Sequence, residues 1–264
     1  MKAILVVVLV ALVCSSLVSA TVVILRPIQL NNLLLDRSRN IMQLTGLLPA
    51  GLDVPDEEML LLFKSLDARI VDIDAAIFDA SIDPYSFDKR KAANTPELSV
   101  AIPAEFDRVG LGRRSSLAPA FLVWQDEEFK RIILPIRGNG MWSTLYGYIA
   151  LESDLNTIAD VIFYKQNETP GLGDQITRPD WLAQWQGRRI YGERGELRFA
   201  VSGDKVDSGS LSAAFEVDAL TGATVTTDAV TRLVHYWFGP HGYRPFLDRL
   251  RDEPPDRPVA EESF

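Results

Sequence analysis

The chain has 264 residues, 47% hydrophobic and 24% charged, which is enough for one large domain or two small ones around a sizeable core. Its net charge of −9 argues against a nucleic-acid partner, which needs a basic face. With one cysteine and two histidines it can build no intrachain disulfide, Cys-based zinc site, iron–sulfur cluster or C-x-x-C-H haem site, so no metal is expected and any redox chemistry must come from an organic cofactor.

Ala3 to Leu25 carries no charge and is bracketed by Lys2 and Arg26. That length matches the ~20 apolar residues of a membrane-spanning helix. A secretory signal peptide is the rival reading, with Val18-Ser19-Ala20 as the cleavage site, but the apolar run continues past that cut. The span holds no ionisable residue, so the chain by itself is no channel or pump. Lys2 on one side and Arg26, Arg37 and Arg39 on the other leave the orientation undecided.

Leu30, Leu33, Leu34, Ile41, Leu44 and Leu48 predict a helix continuing from the anchor or close to it, broken by Pro49 to Pro55. Asp56 is expected to cap a second helix, Glu57 to Leu66, followed by a strand at Ala68 to Ile73. Ala80 to Pro103 reads as a polar surface excursion and Gly110 to Ser116 as a loop. The arginines at 108, 113, 114, 188 and 189 read as solvated surface.

From Ala120 the pattern turns to strands. Ala120–Gln125 and Lys130–Ile136 flank a hairpin at Asp126-Glu127-Glu128, and Gly138-Asn139-Gly140 reads as a turn. Leu145–Leu151 and Thr157–Lys165 flank a turn at Glu152–Asn156. Glu168 to Gly173 is a Pro/Gly loop, Trp181 to Gln186 a short helix, and Glu196–Val201 and Ala213–Val217 further strands. A last helix, Thr226 to Phe238, puts Val230, Leu233, Val234 and Trp237 on one face before Gly239-Pro240 stops it. The fold class expected is α+β: an N-terminal transmembrane helix, then an antiparallel-sheet domain with flanking helices. The division expected is an anchor (1–26), a membrane-proximal mixed part (27–115), a ligand domain (116–250) and a C-terminal tail (251–264).

The stretch with most chemistry in it is Val217–Val230, with four threonines and two aspartates around a Gly-Ala step at a helix start. Free N–H groups and the helix dipole favour an anion such as phosphate near Thr224, and Gly222 permits close approach of the backbone to a ligand. The competing reading is an N-cap turn, with Thr224, Thr226 or Thr227 capping and Asp228 in the first turn.

Asp218 to Thr224, D-x-L-T-G-A-T, resembles the flavinylation motif of the FMN-binding domain family. Glu168-Thr169-Pro170-Gly171-Leu172-Gly173 resembles a second segment of that family, which packs on the flavin ring. Gly138 to Gly147, G-N-G-M-W-S-T-L-Y-G, is similar to a stretch found in the C subunits of Na+-translocating NADH:quinone oxidoreductases, a branch of the same family. Trp237-Phe238-Gly239 and Gly242 to Leu247 extend that resemblance toward the end of the chain.

The resemblance implies FMN covalently bound through a phosphoester to Thr224, attached by a separate flavin transferase using FAD. Asp218, Thr221, Gly222 and Ala223 would surround it, with Glu168, Thr169, Leu172 and Gly173 from the loop. Trp142 and Tyr146 would line the pocket and Ser143 would hydrogen-bond the ligand. It further implies a single-pass protein of the bacterial inner membrane with its soluble domain in the periplasm. It would relay electrons from an iron–sulfur centre to the FMN of the B subunit within a six-subunit, sodium-pumping complex. No stand-alone catalysis is expected, and no G-x-G-x-x-G follows a strand to hold NADH. The alternatives are the G subunit of the related ferredoxin:NAD+ reductase and a secreted, cofactor-free binding domain.

Overall fold

A computed structural model describes residues 2–49 and 51–257. The anchor and the helix expected after it are one element, α1 (Lys2–Thr45), which continues through Pro27. Proline offers no N–H to the carbonyl four residues back, so one helix bond is missing where the apolar run ends. The most apolar window of α1 has a mean hydropathy of 2.8 and is entirely exposed, as suits a membrane-spanning anchor. Burial begins at Leu35, and Ile41, Met42 and Leu44 are sealed in the core.

The next helix, α2 (Asp56–Lys64), starts one residue earlier than expected: Pro55 is its N-cap and Asp56 its first residue. The β1 strand (Asp67–Asp72) pairs with β2 (Ile77–Asp79). The expected surface excursion contains α3 (Lys89–Asn94) and β3 (Ser99–Ala101), and the expected loop at 110–116 contains β4 (Arg113–Ser115), which pairs with β3.

The main sheet is completed by β5 (Leu117–Gln125), β6 (Glu128–Asn139), β7 (Thr144–Glu152) and β8 (Ile158–Lys165). Six antiparallel strands run in the order β2-β1-β5-β6-β7-β8. The sheet crosses the boundary expected at 115/116, because β1 pairs with β5.

Both faces of the sheet are covered, which is why β5 reads as a continuous apolar run. Phe121, Val123 and Ile133 pack under α1 and α2. Ala120, Leu122, Ile132 and Leu134 point the other way, toward α5 (Thr224–Trp237) and α6 (Arg244–Asp252). Val230, Leu233, Val234 and Trp237 of α5 are buried as their spacing predicts. The Trp237 indole N–H donates to the Arg137 carbonyl at 2.7 Å, and the Tyr243 hydroxyl to that of Pro135 at 2.7 Å, fixing the C-terminal helices on β6.

Other expectations need correction. Only Ala200–Val201 (β9) and Glu216–Val217 (β10) are strands in their segments, and they pair with each other in parallel. Ala213–Phe215 is a 3-10 turn. The short helix near Trp181 is Pro179–Leu182 (α4), continued by a 3-10 turn. The α6 helix carries the chain to Asp252, and the expected tail lies outside the described residues from 258 on. Arg114 is buried, ion-paired with Asp74 at 2.5 Å and donating to the His241 carbonyl, so it belongs to the interior.

Candidate flavin site

Glu168 is where the site is assembled. Only 5% of it is exposed, and both carboxylate oxygens are occupied. Oε1 accepts the backbone N–H of Trp142 (3.0 Å) and Ser143 (3.1 Å) and the Ser143 hydroxyl (3.3 Å). Oε2 accepts the Met141 N–H (3.0 Å) and the Thr226 hydroxyl (2.7 Å). Burial pushes the carboxyl pKa up, but the bonds from Thr226 and from the N–H groups of Trp142, Met141 and Ser143 outweigh it and hold the group below its ordinary value.

The three segments singled out in the sequence therefore meet. The turn expected at 138–140 is displaced: β6 runs through Asn139 and the chain reverses over Gly140–Ser143, where Gly140 N–H donates to Ser143 O at 2.7 Å. The Glu168–Gly173 loop folds on the Thr169 carbonyl, which accepts the N–H of Leu172 (3.1 Å) and Asp174 (3.3 Å). Gly173 is buried, and a Cβ there would stand 2.7 Å from Thr226 Oγ. Gly222 has φ +76° and lies against Leu172, whose Cδ2 would be 3.0 Å from a Cβ at 222.

The expected cap does not form. The α5 helix begins at Thr224, its N-cap is Ala223, and no side chain caps it. The Thr226 hydroxyl goes to Glu168, and that of Thr227 to the carbonyls of Ala223 (3.2 Å) and Thr224 (3.0 Å). Asp228 falls beyond the first turn, which contains no acidic residue. Thr224 is thus an exposed hydroxyl on an uncapped helix start, where N–H groups and the dipole favour negative charge.

Around it stand exposed apolar side chains. Trp142 is 68% exposed and Leu172 41%; Met141 and Val225 are exposed too. Met141 and Val225 are not among the expected site residues, and Thr226 is expected only as a cap; the structure brings all three beside the Glu168 carboxylate or the α5 start.

The remaining expected residues divide. Ala223 is buried beneath the turn and Thr221 is exposed before it. The Ser143 hydroxyl is engaged by Glu168 and accepts the Asn167 N–H at 2.8 Å. Asp218 ties loops together: its carboxylate accepts the Val206 N–H (2.7 Å) and its carbonyl the Trp181 indole N–H (2.8 Å). Tyr146 points to the other face of the sheet, 6.3 Å from Tyr164 and under Lys165, beside a groove of about 870 Å³ next to α1.

The residues present are compatible with FMN: an uncapped helix start favours an anionic phosphate, and the exposed Leu172 and Trp142 offer apolar surface for a flat ring. Residues 140–239 match the FMN-binding domain family. The chain is 41% identical to the C subunit of the Na+-translocating NADH-quinone reductase of Pseudomonas aeruginosa over 95% of each chain. It is 34% identical to that of Vibrio anguillarum, again over 95% of each. The crystal structure of Shewanella oneidensis NqrC superposes with a TM-score of 0.73 at 30% identity, covering 81% of this chain and 96% of that one. A flavin-binding site on an antiparallel sheet, joined to one long apolar helix and matched over nearly its whole length, places this chain in the family of C subunits of Na+-translocating NADH-quinone reductases.

Proposed function

We propose that the chain is an FMN-bearing electron carrier of a Na+-translocating NADH-quinone reductase, with the flavin joined covalently to Thr224. The observation carrying this is the contrast among neighbouring hydroxyls: those of Thr226 and Thr227 are committed to protein acceptors, while Thr224 is exposed at the uncapped start of α5. Thr221 is exposed as well, but it precedes Gly222 and lies outside the helix.

Attachment is a displacement on FAD by a separate flavin transferase. The Thr224 oxygen forms a bond to the flavin-side phosphate, the pyrophosphate bond breaks, AMP leaves and the hydroxyl proton passes to solvent. The product is a phosphodiester with one negative charge, which the α5 start is disposed to hold. When bound, FMN supplies the redox step.

The chain's own part is to hold, orient and expose the flavin. Leu172 offers an apolar surface to the ring, and Trp142 stands on a turn pinned by Glu168. In the complex the carrier would pass electrons from an iron–sulfur centre to the FMN of the B subunit, on the periplasmic side of the inner membrane. Covalent attachment keeps a solvent-exposed cofactor from dissociating there.

The test is intact mass and in-gel flavin fluorescence after full denaturation, on protein co-expressed with a flavin transferase. The expected result is a gain of one FMN less one water, mapped to the peptide holding Thr224 and absent in Thr224→Ala. No gain, with the transferase active on a control substrate, would sink the covalent reading.

A further inference from the structure

We propose that Glu168 is a positioning residue of this site: its carboxylate latches the Gly140–Ser143 turn to the first turn of α5 and so sets where the Trp142 indole stands relative to Thr224. The proposal rests on the flavin-carrier reading.

A carboxylate offers about four lone-pair positions, and here five donors converge on two oxygens. Bonds to an ionised acceptor are roughly twice as strong as neutral ones. A buried charge is tolerated only when so satisfied, and among the described residues no lysine or arginine pairs with Glu168. The charge is balanced by dipoles from two separate segments, and it therefore holds those segments together.

What it holds is telling. Three of the donors are the consecutive backbone N–H groups of Met141, Trp142 and Ser143. The Trp142 side chain is 68% exposed, so packing does little to place it and the position of its main chain does most. The fourth residue, Thr226, lies two positions past Thr224 on the same helical turn. One carboxylate thus spans from the backbone that carries the indole to the turn that carries the acceptor hydroxyl.

A clamp that merely supported the fold would change stability alone. The latch predicts two further effects, measured on the full-length chain in detergent. The first is amide exchange in the peptide carrying residues 141–143, in protein without flavin. The second is flavin emission of loaded, folded protein relative to the same protein unfolded, which reports how closely the indole approaches the ring.

Glu168→Gln is expected to speed exchange at 141–143 by about tenfold or more, as loss of a charge-assisted bond implies, and to raise the emission ratio. Thr226→Val should do the same to a smaller degree, and Thr226→Ser, which keeps the hydroxyl, should restore both. Unchanged exchange in Glu168→Gln overturns the latch, and so does faster exchange with an unchanged emission ratio. Should Glu168→Gln fail to fold, Thr226→Val with wild-type values in both readouts overturns it equally. A wild-type chain that stays without flavin beside an active transferase defeats the flavin reading instead; exchange in the unloaded chain still judges the latch.

Discussion

The Thr226 hydroxyl reaches Glu168 Oε2 over 2.7 Å, joining the first turn of α5 to a loop 58 residues earlier. The carboxylate it meets is buried and held below its ordinary pKa, which ties stability to pH. A depressed folded pKa contributes stability that is complete above the unfolded value, about 4.3 for a glutamate. That contribution is lost as the pH falls through the folded value. Urea midpoints should therefore separate wild type from Glu168→Gln at pH 7 and converge below about pH 4. A gap that stays constant down to pH 3 would remove Glu168 from the acid response.

The threonines of α5 should divide by role. Thr224→Ala is expected to lose all denaturation-resistant flavin while its stability stays within about 0.5 kcal/mol, since an exposed side chain is removed. Thr227→Val should keep the flavin and lose about 1 kcal/mol, the value of a net hydrogen bond. In-gel fluorescence and chemical unfolding of the two variants check both halves.

Leu172 and Gly222 lie against each other, so each can be probed from the other side. Leu172→Asp should shift the flavin potential or visible spectrum with attachment intact; an unchanged potential would remove Leu172 from the ring contact. Gly222→Ala places a side chain at φ +76° and into Leu172 Cδ2. It should destabilise by about 1–2 kcal/mol, the cost of left-handed backbone for an L-residue, read as a lower unfolding midpoint.

Truncation should separate anchor from domain. Removing residues 2–26 leaves every buried residue of α1 in place and should give a water-soluble protein with an unchanged melting temperature. Removing 2–45 deletes Leu35, Ile41, Met42 and Leu44. At about 1.5–3 kcal/mol for each buried side chain, that loss rivals a whole domain's stability of about 5–15 kcal/mol, and circular dichroism should report an unfolded chain.

The central strands were legible because their turns announce themselves: Asp126-Glu127 and Glu152–Asn156 interrupt apolar runs that have few other ways to be buried. The β3 and β4 strands were not, being too short for any period to register, while β9 and β10 are only the last two residues of the strands expected at Glu196–Val201 and Ala213–Val217. The sequence predicts no helix at α6: Gly239-Pro240 stops the last expected one, and the segment to Leu247 is read only through its resemblance, although Phe246, Leu247 and Leu250 are buried. At the site, motif resemblance pointed to Thr224, Leu172 and Glu168, but not to what Glu168 does. Three of its partners are backbone N–H groups, which carry no side-chain signature. Thr226 looked like a cap because its hydroxyl's destination lies far away in the sequence. The resemblance of Gly138–Gly147 puts Tyr146 with Trp142 in one pocket, whereas its ring sits with Tyr164 on the opposite face of the sheet.

The α1 helix also determines how this domain can travel. No flexible linker separates the apolar span from the folded body: the helix that leaves the bilayer is the one that enters the core at Leu35. Between Pro27 and Leu35 it is a stalk about 12 Å long at 1.5 Å per residue, with its one missing backbone bond at the foot. Such a mount lets the domain tilt about its base but holds it at a fixed height above the lipid. On the proposed carrier reading, a redox partner would have to present its own centre within that narrow cone, as a track must be brought to a fixed reader head.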